Sequence, residues 1–228
     1  METFPDDWSR ALAVAAHPDD LEYGVSAAIA AWTSAGRTVT YLLVTRGEAG
    51  IATTPPAEAG PAREAEERAS AAVVGVHDVR FLDHPDGTVV ESVALRRDIA
   101  RVIRDVRPDL VVTMNHHEQW DGGGWNSADH RAVGRAAIDA VSDAGTRWIF
   151  PDDGAAHQVR HLAVAASPAP THEVDVTGFV ETAVASLACH RRYLAALDDA
   201  PVEDQARAVV EQMVGGAGSP RVPFELLS

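Results

Sequence analysis

The sequence predicts an α/β fold of Rossmann-like kind: a largely parallel sheet with helices on both faces and a smaller, irregular C-terminal part. Three observations predict it. Short apolar runs alternate four times with longer stretches of helical periodicity between residues 11 and 143, the pattern that builds parallel sheets covered on both sides. Glycine or proline punctuates most of these joins, at Gly36, Gly75 and Pro108. The polar residues with chemical potential gather directly after the apolar runs, where open α/β sheets place their sites.

Residues 11–16 are small and apolar and predict a buried strand. They run into His17, Pro18, Asp19 and Asp20. Proline fixes its own backbone angle and biases the residue before it toward an extended conformation, so the strand ends at His17 and the paired Asp opens a helix. That helix reads over 21–35, with Ile29 and Trp32 on its apolar side, and a β-branched strand follows over 38–44. Glycines punctuate 45–50, and Pro55, Pro56, Gly60 and Pro61 predict irregular chain beyond. A helix spans 62–74, where Arg63, Glu64, Glu66, Glu67 and Arg68 face away from an alanine and valine stripe.

A short strand over 79–82 leads to the turn His84-Pro85-Asp86-Gly87, then a helix over 92–106 and a strand over 110–114. The loop at 115–127 carries His116, His117, Glu118, Trp120, Asp121, Trp125 and three glycines, and Asp129 and His130 open a helix reaching about residue 143. Beyond it, strands are expected over 161–166 and 173–176 and helices over 178–197 and 202–213, with Trp32 and Trp148 in the core. The 228 residues fit one domain, 1–228.

Composition narrows the partners. With 34 acidic against 19 basic side chains, the net charge is -15 and no basic stripe is present, which argues against nucleic acid and anionic membranes and favours a neutral or cationic small molecule. Cys189 is the only cysteine, so an intrachain disulfide and a thiolate metal cluster are excluded. The first residues lack the charged start and apolar stretch of a signal peptide, and no run approaches membrane-spanning length, so the cytoplasm is the expected address. The composition is compatible with a homo-oligomer.

A catalytic zinc takes three protein ligands and leaves a fourth position for water. His17 and Asp20, three residues apart across a turn, suit one ion, with Asp19 directed at the water. The third ligand comes from His130, His116 or His117; His130 is favoured because a helix start is a firm platform and Asp129 beside it can brace it. Without a metal, the same residues read as helix caps.

His17-Pro18-Asp19-Asp20 after a small apolar strand resembles the signature of the PIG-L/LmbE family of zinc-dependent N-acetylglucosaminyl deacetylases. The likeness continues through Thr45-Arg46-Gly47-Glu48-Ala49-Gly50, the segment 63–66, Phe81-Leu82, Pro85-Asp86-Gly87, Arg107-Pro108-Asp109 and Asp129-His130, in the family's order over most of residues 10–140. The resemblance implies one Zn²⁺, or another divalent metal, held by His17, Asp20 and His130. It implies Asp19 as general base, Arg63 and Asp86 lining a sugar pocket, and Glu48 near its mouth. The implied reaction is hydrolysis of an N-acetyl group on an amino sugar or glycoside by a metal-activated water.

Three positions depart from the pattern: Leu21 stands before Glu22 where Glu commonly follows the paired Asp, Trp125 stands where members carry tyrosine, and Ser127 replaces the first histidine of the second motif. Near the C-terminus, Cys189-His190-Arg191-Arg192 resembles a family stretch in which histidine precedes Ser-Gln. Alternatives are an amidase acting on a larger thiol or peptide conjugate, a weakly catalytic metal-containing sugar-binding protein and, more distantly, a two-metal phosphoesterase.

Overall fold

The structure is a computed structural model and describes residues 1–215 and 219–227; residues 216–218 and 228 of the span expected to form one domain lie outside the described residues. Among the described residues, eight strands form one sheet in the order β1-β7-β8-β6-β5-β2-β3-β4. The strands are β1 Glu2–Thr3, β2 Arg10–Ala15, β3 Thr38–Leu43, β4 Asp78–Phe81, β5 Leu110–Met114, β6 His161–Ala165, β7 His172–Asp175 and β8 Arg221–Leu227. All neighbours run parallel except β8, which is antiparallel to both β6 and β7. The helices are α1 Asp20–Gly24, α2 Ser26–Ser34, α3 Pro56–Val73, α4 Val93–Val106, α5 Ala128–Gly145, α6 Val180–Leu187, α7 Arg191–Leu197 and α8 Val202–Met213.

Side-chain alternation along β2 divides the core. Ala11, Ala13 and Ala15 pack into a cluster with residues of α2, α6 and α8. Leu12, Val14 and Ala16 pack into a second cluster with α4 and α5. A strand presenting apolar residues on both faces belongs in the middle of a covered parallel sheet, and β2 sits between β5 and β3. The register Val14↔Thr113 and Ala15↔Leu43 ends β2, β3 and β5 almost level. The segments after β2 and β5 therefore open onto the same edge.

Several expectations shift. The prolines near 55–61 do not keep the chain irregular: α3 begins at Pro56 with Pro55 as N-cap, because proline's missing N–H is spare in a first turn. The helix expected over 178–197 is two helices, interrupted at His190. The smaller C-terminal part continues the same sheet, which β6, β7 and β8 extend. Trp32 is buried as expected, but Trp148 is 75% exposed: it lies in the turn after α5, with the Arg147 guanidinium 4.9 Å from its ring centre.

Candidate active site

The turn after β2 is built around the Asp20 carboxylate. Its Oδ2 accepts the backbone N–H of Ala16 at 3.0 Å and of His17 at 2.8 Å, which folds the chain end of β2 over the start of α1. The turn requires Asp19 to adopt φ 92°, a left-handed conformation at a residue other than glycine. Asp19 is nevertheless buried, and its Oδ1 accepts a hydrogen bond from Arg63 Nη2 at 2.9 Å. Arg63 also donates to the carbonyl oxygens of Gly47 and Pro18. A Cβ at Gly47 would lie 2.2 Å from Arg63 Nη1, so the loop after β3 wraps the guanidinium only with glycine there.

His130 comes from the first turn of α5, and its own N–H is capped by Ser127 Oγ at 3.1 Å. His130 Nε2 lies 3.0 Å from Asp20 Oδ1 and 3.2 Å from His17 Nδ1. His17, Asp20 and His130 thus each bring one donor atom within 4.8 Å of the others.

Neighbouring groups settle which ring nitrogens face this point. Asn126 donates its amide N–H groups to the carbonyls of Asn115 at 2.7 Å and His117 at 3.0 Å, so its Oδ1 faces His130 Nδ1, at 3.0 Å. That nitrogen is the donor, which leaves Nε2 free. His17 Nε2 lies 3.1 Å from Asp86 Oδ1 and 3.2 Å from Asp129 Oδ2; facing two acceptors it carries a proton, and Nδ1 is left toward the donor set. Asp129 is fixed in turn by the backbone N–H of Gly87 at 2.8 Å and of Val89 at 3.1 Å. Two imidazoles with outward N–H groups held by an amide and carboxylates, beside one carboxylate, form a donor set suited to a divalent ion such as zinc.

Charge interactions in the cluster are strong. Burial alone lowers the His17 pKa, but the Asp20 charge and hydrogen bonds to Asp129, Asp20 and Asp86 raise it to about 12. Burial also works against protonated His130, yet Asp20 raises its pKa above the ordinary value. Asp20 is held well below the usual carboxylate range because His130 and His17 outweigh its burial. Asp19 goes the other way: burial pushes it up to about 6 and Arg63 opposes the rise.

A cavity of about 1080 Å³ opens over these groups. His17, Asp19, Asp20, His130, Arg63 and Asp86 all line it. Glu48 does not: its carboxylate accepts the N–H of Asp86 at 2.9 Å and of Arg46 at 3.2 Å and braces the two loops. His116 and His117 stand outside the donor set, their rings 4.3 Å apart, with His117 Nε2 3.1 Å from Glu225. Sequence reasoning missed Asn126 and Asn115, which sit in a glycine-rich loop where asparagine reads as turn composition. Trp120 also lines the cavity, its ring 5.6 Å from that of His130 at 76°. Trp125 is 78% exposed.

The mostly parallel sheet, the donor set at its carboxyl edge and the buried acid beside it define an α/β protein of the PIG-L deacetylase fold. The chain belongs to the PIG-L family: the family model described as GlcNAc-PI de-N-acetylase matches residues 12–141. A curated relative, diacetylchitobiose deacetylase of Thermococcus kodakarensis, is 29% identical over 191 residues, covering 81% of this chain and 70% of that protein. A second, the 1D-myo-inositol 2-acetamido-2-deoxy-alpha-D-glucopyranoside deacetylase of Kineococcus radiotolerans, is 34% identical over 171 residues, or 60% of this chain and 45% of that protein. The chain therefore matches less than half the length of this second relative. Among solved structures, N,N'-diacetylchitobiose deacetylase of Pyrococcus horikoshii superposes with a TM-score of 0.86 at 22% identity, over 97% of this chain and 84% of that one. No helix among the described residues is long and apolar enough to cross a membrane.

Proposed function

We propose that this chain is a divalent-metal-dependent hydrolase, with zinc the expected ion, that removes an N-acetyl group from a small amino sugar or glycoside. The observation that carries the reading is the buried Asp19 carboxylate beside the His17, Asp20 and His130 donor set in one cavity, in a family whose relatives are named deacetylases. His17 Nδ1, Asp20 and His130 Nε2 would hold the ion. A divalent ion bound there supplies Lewis acidity to an amide carbonyl and makes water more acidic.

The protein's own groups do the rest. Asp19 takes a proton from the attacking water as that water adds to the acetamide carbon, and returns it to the sugar nitrogen as the C–N bond breaks, leaving acetate and an amine. Arg63, bonded to Asp19 Oδ1, sets the direction of the carboxylate. Asp86 holds His17 and, with Arg63, lines the space for the sugar. The acidic cavity suits the amine product. One domain and a cytoplasmic setting accompany this reading.

The test is an acetate-release screen over N-acetyl sugars and glycosides, with and without chelator, and with Asp19→Ala and His17→Ala as controls. Release that needs metal and Asp19 is expected, with stoichiometric metal lost in His17→Ala. Binding of such sugars without any metal-dependent acetate release would make the chain a sugar-binding protein instead. Turnover confined to larger thiol or peptide conjugates would make it an amidase.

A further inference from the structure

A second polar cluster lies buried behind the turn that carries Asp19. It consists of Glu22 of α1, Glu67 of α3 and His190, which stands between α6 and α7; all three side chains have no exposure to solvent. His190 Nε2 lies 3.5 Å from Glu22 Oε2 and 3.7 Å from Glu67 Oε2. These separations are too long for hydrogen bonds, and among the described residues the ring nitrogens of His190 and both carboxyl oxygens of Glu22 have no hydrogen-bond partner. Buried polar groups left in this way are costly, so the cluster calls for a reason.

Glu67 makes one contact that meets hydrogen-bond geometry: its Oε2 accepts the backbone N–H of Asp19 at 3.0 Å. Arg63 lies one helical turn earlier on α3, so the two side chains project from the same face. Arg63 holds the Asp19 carboxylate at Oδ1 and Glu67 holds its amide. One face of α3 therefore grips Asp19 at both ends, and the residue gripped is the one with φ 92°. A residue in a sparsely populated backbone region persists only where its surroundings determine it.

We propose that Glu67 is a positioning residue that maintains the left-handed turn at Asp19 and so aims the Asp19 carboxylate at the reacting centre. The kinetic part rests on Asp19 acting as the base. Glu67 does not touch the cavity, and it acts through a backbone amide. The same three residues also bring their donor atoms within 4.8 Å of one another, a spacing that suits a metal ion. The commitment of Glu67 Oε2 to the Asp19 amide, and the lack of any exposed side chain, favour the positioning role over an ion site.

Glu67→Gln keeps an oxygen acceptor, and Glu67→Leu removes it. In acetate-release kinetics, kcat is expected to fall at least ~10-fold in Glu67→Leu, with KM and the active-site metal retained, and to recover in Glu67→Gln to within about threefold of the parent. Full kcat in Glu67→Leu, or equal losses in both variants, would overturn the proposal. Amide hydrogen exchange at Asp19, read by NMR in the parent protein, tests the grip without needing turnover or a folded Glu67→Leu. Strong protection is expected, and exchange at the rate of an open loop would overturn it. Absence of any acetate release with a protected Asp19 amide would instead count against the deacetylase reading and leave the grip standing. Two metal equivalents in the parent, one of them lost in His190→Gln, would make the cluster an ion site and also overturn the proposal.

Discussion

The Asp129 carboxylate stands 3.2 Å from His17 Nε2 and thereby decides which nitrogen of His17 is left for a metal. The same Oδ2 accepts the Gly87 amide and Oδ1 accepts the Val89 amide, so one side chain fixes both the imidazole and the loop that presents Asp86. Groups that orient a ligating histidine are worth roughly 10–100-fold in metal affinity. Asp129→Ala is expected to weaken zinc binding by about that factor in a competitive chelator titration; unchanged affinity would show that His17 is oriented by other contacts.

Metal uptake should depend on pH. In the metal-free protein His17 titrates at about 12 and His130 above its ordinary value, while a metal requires both ring nitrogens of the donor set without protons. Affinity therefore rises with pH, up to ~10-fold per unit for each proton displaced. Calorimetry in two buffers of different ionisation enthalpy should record one to two protons released, by the count of these imidazoles. A pH-independent affinity would contradict the protonated state assigned to them.

For stability of the metal-free form the signs run in both directions. Raised histidines contribute fully below their unfolded value of 6.5 and lose that contribution as pH climbs through their folded values. Asp20, depressed from 3.8, contributes above that value and loses it as pH falls through its lower folded value. The cluster therefore stabilises the metal-free protein most between about pH 4 and 6.5. Thermal melts of chelated protein across that range, with His130→Ala as reference, should show the difference between the two proteins narrowing on either side.

Asp19→Asn should retain metal and substrate affinity while kcat falls by about 10²- to 10⁴-fold, the usual scale for losing a general base. In the parent, kcat/KM should decline on the acid side at or below about 6, where the carboxyl becomes protonated; a bound cation would pull this limb lower. A residual rate unaffected by Asp19→Asn would assign the proton to another group.

Ser127 occupies the place where the family pattern has a histidine, and its hydroxyl caps α5 by accepting the His130 N–H. Ser127→Ala is therefore expected to cost about 0.5–2 kcal/mol of stability. Denaturant unfolding checks this, and a cost near zero would mean the cap is dispensable.

The reach of the sequence differs from one part of the molecule to another for physical reasons. The turn from β2 into α1 and the opening of α5 are local, so residue types at 17–20 and 127–130 carry their own structural logic, and the strands β2, β3 and β5 read directly from their apolar runs. The start of α3 was not legible: Pro55, Pro56, Gly60 and Pro61 read as breakers, although a proline in a first turn is compatible with a helix and Pro56 opens this one. Strand β8 contains Pro223, which has no N–H to give to a ladder, and its pairing with β6 and β7 is decided by residues about 50 positions away. Glu67 looked like one more solvated helix charge, since only tertiary folding brings it to the Asp19 amide. The break at His190 has no glycine or proline to announce it.

The placement of β8 bears on the order in which the molecule can be assembled. β1 and β7 join the rest of the sheet only through this last strand, so during synthesis they wait for residues 221–227 to leave the ribosome. His17, Asp20 and His130 follow β2 and β5, neither of which pairs with β8. The donor set can therefore close on an ion while the wall carrying Glu173, Arg221 and Pro223 is still missing. A chain ending at residue 215 is expected to keep its metal while losing affinity for sugar, and loss of both together would tie the two halves into one cooperative unit.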